Sequence, residues 1–117
     1  MSLNTQQSLA VEEEDHDNLS EIIHYNTTKA AVIVRALNHK LRQLVIKTVH
    51  ENKSLTVTQL FIRLRLEQSV ASQHLAILRK ASIVSTERDG KCIYYSINKE
   101  RVAEIDSFAK EILNYQV

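Results

Sequence analysis

The sequence predicts a mainly α-helical fold with one small β-hairpin, on three observations. Its 117 residues include no proline and a single glycine. That leaves few turns and favours helices over a β-sandwich. Apolar residues recur at helical spacing in five segments with short breaks between them. Between the fourth and fifth segments the period drops from about 3.6 to about 2, over residues 83–97.

Residues 1–17 are polar, then acidic, and lack periodicity, so they read as a flexible arm. Residues 18–117 read as one domain. Its first helix, residues 18–37, repeats Leu19, Ile22, Ile23, Ala30, Ile33, Val34 and Leu37. The run Tyr25-Asn26-Thr27-Thr28 is its weakest stretch and the expected place for a break. Asn38 is placed to cap the second helix. There Leu41, Leu44, Val45, Thr48 and Val49 form an apolar stripe, and Asn52-Lys53-Ser54 end it. A third helix runs from Thr56 to Leu66, with Val57, Leu60, Phe61 and Leu64 inward. After a very short connection at Glu67, a fourth runs from Gln68 to Ala81. Two helices joined so tightly, residues 56–81, are a helix-turn-helix signature.

The hairpin follows, residues 83–97. Its strands are rich in β-branched and aromatic residues. Asp89-Gly90 sits between them as a two-residue turn, because both positions tolerate positive φ. A last amphipathic helix, residues 99–117, carries Val102, Ile105, Phe108, Ala109 and Ile112 on one face. Four helices, a hairpin and a fifth helix make a winged helix-turn-helix.

Composition narrows the function classes. Hydrophobic residues are 44% and charged residues 25% of the chain, ordinary for a globular protein. No apolar run approaches the ~20 residues of a membrane helix. The polar, acidic start is unlike a signal peptide. The single cysteine, Cys92, cannot form an intrachain disulfide. A cytoplasmic protein is expected. No glycine-rich phosphate loop, spaced metal cluster or catalytic triad is present, so neither catalytic residues nor cofactors are expected.

The net charge is +1, but it is unevenly spread. Residues 1–30 carry net −5 and residues 102–117 net −2, while residues 31–101 hold thirteen Lys/Arg against five Asp/Glu. This basic block suits a phosphate backbone, although a solvated basic surface would look the same.

The fourth helix separates the two. At 100° per residue, Ala71, Leu75 and Leu78 form its buried stripe. Ser69, Ser72, Gln73, Ala76 and Lys80 share the opposite side. An ordinary surface helix shows Glu/Lys pairs there. This one presents a slim, acid-free face of hydrogen-bonding groups, which suits a major groove. Gln68 lies at the helix N-terminus, where dipole and free N–H groups favour a phosphate. Arg79 near the other end joins the DNA-binding set, as do Arg88 and Lys91 beside the hairpin tip. The expected partner is double-stranded DNA. The alternative is a protein-interaction module of the same fold without DNA binding.

The segment Ala36 to Ile46, the run Ser69-Val70-Ala71-Ser72-Gln73-His74-Leu75-Ala76-Ile77-Leu78-Arg79, and Arg88 to Lys91 followed by Tyr94-Tyr95-Ser96-Ile97 together resemble the ArsR/SmtB family of bacterial winged-helix repressors. The resemblance covers residues 30–98. It implies a transcriptional regulator, a homodimer joined through the first and last helices, and a palindromic operator. It also implies that Ser69, Ser72, Gln73 and His74 read DNA. His74 falls off the wheel's outer face, which points to a supporting role. The family's frequent Asp-Pro before the arginine of the second helix is replaced here by His39-Lys40. Its glycine after the recognition helix is Ser82.

The usual metal ligands are missing. Leu60 to Leu64 contains no thiol and residues 99–117 no histidine. His16, His24, His39 and His50 read as surface residues, with a site from His16, Asp17 and His24 left open. Cys92 reads as a strand residue, with oxidation or cross-subunit pairing as the alternative. Apolar faces at 19–23, 30–34 and 102–112 exceed the needs of one small core, which independently points to a second subunit.

Overall fold

A computed structural model describes residues 16–114. The expected acidic arm falls almost wholly outside them. The elements are α1 (His16–Leu37), α2 (Lys40–Glu51), α3 (Val57–Leu64), α4 (Gln68–Lys80), β1 (Val84–Asp89), β2 (Cys92–Ile97) and α5 (Lys99–Asn114). This is a mainly helical winged fold with a two-stranded antiparallel hairpin. Among the described residues the backbone divides into two units, residues 16–33 and 34–114.

In the first unit the backbone stays helical through residues 25–28, so the expected break is absent. Asn and Thr are only modestly poorer helix formers than Leu or Lys, by a few tenths of a kcal/mol each. Leu19, Ile23 and Val32 are exposed on this helix.

The second unit holds the core. Val45, Val49, Leu55, Leu60, Ala71, Leu75, Leu78, Ala81, Ile83 and Val84 are all buried. They come from α2, α3, α4, β1 and the links between them. The expected stripe of α2 is realised at Val45, Thr48 and Val49, whereas Leu44 is 44% exposed.

His39, not Asn38, caps α2. Its Nδ1 accepts from the backbone N–H groups of Leu41 (3.2 Å) and Arg42 (3.4 Å). Histidine outside the usual Ser/Thr/Asp/Asn set supplies a ring nitrogen in place of a side-chain oxygen. Side chains from α2 also satisfy the last carbonyls of α1. Arg42 Nε donates to the Ala36 carbonyl at 2.7 Å, and Gln43 Nε2 to that of Leu37 at 2.9 Å.

α3 starts in a capping box. The Thr56 hydroxyl accepts from the Gln59 N–H, and Gln59 Oε1 accepts from the Thr56 N–H. Leu55, just before it, forms an antiparallel bridge with Tyr95, with reciprocal bonds of 3.0 and 2.8 Å. That bridge ties the start of the helix-turn-helix to β2.

The hairpin turn is displaced by one residue from the expected position. Asp89 pairs with Cys92, so the turn is Gly90-Lys91. Gly90 has φ +65 and Lys91 is not among the residues with positive φ. Glycine at the first central position is the pattern of a II′ turn. No helix among the described residues is long and apolar enough to cross a membrane.

Candidate nucleic-acid interface

α4 packs against α3, α2 and β1. Ala71, Leu75 and Leu78 are at most 1% exposed, so the inner face of the helix is fully used. Ser69, Ser72, Gln73, Ala76 and Lys80 are all exposed on the other side, as the wheel predicts. The helix therefore presents hydroxyls and an amide from a backbone that the core holds in place.

Both ends of α4 are free of acid within the helix, and Arg79 and Lys80 stand in the last turn. Glu67 is at the N-cap but makes no side-chain cap bond, so N–H groups near Gln68 and Ser69 lack that internal partner. The C-terminus closes in a Schellman motif. Ser82 has φ +63, its N–H donates to the Arg79 carbonyl, and Ile83 N–H donates to that of Leu78, both at 2.9 Å. Ile83 and Leu78, the two positions that carry the apolar contact in caps of this kind, are both fully buried. The exit into the wing is thus fixed despite the missing glycine.

His74 is half-buried and turned towards α2. Its ring centroid is 5.0 Å from that of His39, with the planes tilted by 53°. Its Nδ1 is buried with no hydrogen-bond partner. Burial holds the imidazole below its ordinary value of 6.5, and the neighbouring His39 and Arg42 push the same way. His74 therefore packs α4 against the capped start of α2, in surroundings that disfavour its charged form. This off-face position agrees with the wheel.

Gln68, Arg79, Arg88 and Lys91 are exposed. Arg88 lies opposite Ile93 and Lys91 in the turn. Arg88 is four residues along β1 from the buried Val84, about 13 Å at strand rise. α4 and β1 are packed together, so one core carries both the helix and the projecting tip. Sequence reasoning missed two supports: the His39 ring and the Leu55–Tyr95 bridge. The Thr56-x-x-Gln59 spacing was a readable sign of the helix start beside that bridge.

Among the described residues no group of three or more His, Cys, Asp or Glu is placed to hold a metal ion. The side chains of His16 and Asp17 lie outside the described residues, and Cys92 is an exposed free thiol.

The family model "Bacterial regulatory protein, arsR family" matches residues 39–86, from the α2 cap into β1. The chain is 34% identical over 85 residues to the transcriptional activator HlyU of Vibrio cholerae, covering 73% of this chain and 77% of HlyU. It is 36% identical over 75 residues to the transcriptional repressor PagR of Bacillus anthracis, covering 64% of this chain and 75% of PagR. The crystal structure of NolR from Sinorhizobium fredii superposes with a TM-score of 0.62 at 28% identity, covering 96% of this chain and 95% of that one. With the winged fold, the acid-free α4 face and these relatives in agreement, the chain belongs to the arsR family of bacterial regulatory proteins.

Proposed function

We propose that this protein is a cytoplasmic, sequence-specific regulator that binds double-stranded DNA as a homodimer and represses transcription. The observation that carries the reading is the division of α4. Its inner face is closed into the core, and its outer face offers Ser69, Ser72 and Gln73 with no acid among them. Serine and glutamine both donate and accept, so they suit base edges, and serine also suits phosphates. Gln68, Arg79, Arg88 and Lys91 supply phosphate contacts around that face. His74 acts by positioning the helix through His39.

A second copy is supported by α5. Its expected stripe is only half covered, with Val102 and Ile105 half-buried while Phe108 is 47% and Ile112 46% exposed. Two-fold pairing would place two α4 helices on a palindrome, with half-sites about one helical turn, ~34 Å, apart. Repression is the direction we propose, because an occupied operator blocks access without a further binding surface. PagR bears that name and HlyU the opposite one.

Selection of bound duplexes from a random pool tests the reading. The expected result is an enriched palindrome whose affinity falls steeply with added salt. No enrichment, and no affinity for any duplex at low salt, would instead favour a protein-interaction module.

A further inference from the structure

Two clefts flank α5, and their rims differ in charge. One has Ala103 and Phe108 in its wall and Glu100, Glu104 and Glu111 around it. The other, about 510 Å³, has an apolar wall of Ile46 on α2, Ile97 at the end of β2, and Val102 and Ala103 on α5. Lys47, His50 and Lys99 stand around that wall, with Gln43 and Asp106. Asp106 is the single acid there, and its Oδ2 lies 3.1 Å from Lys110 Nζ, one turn along the same helix. Lys47 and Lys99 have no ion-pair partner among the described residues. Lys99 is also the first residue of α5, where the helix dipole adds positive potential.

We propose that this second cleft binds a small amphipathic anion: one carboxylate on a hydrocarbon body, as in a medium-chain fatty acid. The volume is within the range of small-molecule sites, which pair apolar walls with a few polar groups that orient the ligand. The body lies along Ile46, Ile97 and Val102, and the carboxylate meets Lys47 and Lys99. The acidic rim of the first cleft repels the same ligand. No residue of α4 lines the second cleft. The inference therefore stands apart from the assignment of α4 as the DNA-reading helix, and its failure leaves that assignment untouched.

Calorimetric titration of the full chain with octanoate tests it, with acetate and 1-octanol as probes lacking the body or the charge. Octanoate is expected to saturate at one per chain, with acetate and octanol at least about tenfold weaker. The exposed pair Lys47→Glu/Lys99→Glu is expected to weaken octanoate by about tenfold or more, since it replaces two favourable charges with two repulsive ones. A control pair with the same charge change outside the cleft, Lys40→Glu/Lys53→Glu, is expected to stay within about twofold. Circular dichroism confirms that each variant is folded. The proposal is overturned by non-saturable octanoate binding at low millimolar concentration, by octanol binding as tightly, or by equal loss in both double variants.

Discussion

Helices α4 and α5 are both amphipathic, yet they end up differently. α4 buries Ala71, Leu75 and Leu78 inside its own chain. α5 buries none of its sixteen residues and leaves Phe108, Ile112 and Leu113 exposed by 46–65%. It is attached mainly at its start, where Asn98 N–H donates to the Ile83 carbonyl at 2.8 Å and Arg101 Nε to that of Ala81 at 3.0 Å. A helix whose inner face is complete can hold a polar outer face still enough to be read. A helix whose apolar face is incomplete leaves the surface that the proposed second subunit would cover.

The largest effect expected from breaking this contrast is in the core. Leu78→Ala should destabilise the fold by about 2–5 kcal/mol, because it opens a cavity at a fully buried site. Urea unfolding measures this. The matching change on α5, Phe108→Ser/Ile112→Ser, should leave the folded monomer close to its original stability. It should weaken self-association by about 1.5–3 kcal/mol, given roughly 1.5–3 kcal/mol for fully burying each large apolar side chain and about half of each still exposed. Sedimentation reads the second number, and a dimer that survives the double change would place the interface elsewhere.

Smaller changes sharpen how α4 is held. Ser82 occupies the left-handed position at the end of the helix, at φ +63. Ser82→Gly should raise stability by about 1 kcal/mol, since glycine adopts this backbone without steric cost. A loss of stability would mean that the serine side chain makes an interaction of its own.

The smallest effect concerns His74. Its value is lowered in the folded protein, so the unfolded chain takes up its proton first as pH falls through 6.5. Its contribution to stability is constant above that range and declines below it, until the folded-state value is reached. His74→Gln should flatten the decline in unfolding free energy on the acid side of 6.5. An unchanged slope would remove His74 from the account.

Much of this was legible in the sequence, and the gaps have physical causes. The period of α4 predicts its buried stripe and its outer face, because a helix closed on one side obeys its own wheel. The period of α5 predicts a stripe equally well but not whether anything covers it: Val102 is half-buried and Phe108 is not. The α2 cap went to His39 because a ring nitrogen reaches the same N–H groups that Asn38 was expected to meet. The turn shifted because one glycine after an aspartate fits either central position. Pairing of Asp89 with Cys92 decides between them. The Leu55–Tyr95 bridge joins residues forty positions apart, and no local pattern encodes that. For Gln68, Ser69, Ser72, Gln73, Arg79, Arg88 and Lys91, the residues proposed to face DNA, sequence and structure agree on exposure, while the half-buried His74 sits off that face.

The most direct test compares wild type with Ser72→Ala/Gln73→Ala on the selected duplex and on a scrambled one, across a salt series. The account predicts a loss of about 1–3 kcal/mol or more on the selected duplex, since both base-reading groups are removed. It also predicts little change on the scrambled duplex, a similar salt slope and an intact fold, because both side chains are exposed and carry no charge. Unchanged affinity for the selected duplex in the folded double variant would contradict the assignment of α4 as the helix that reads DNA.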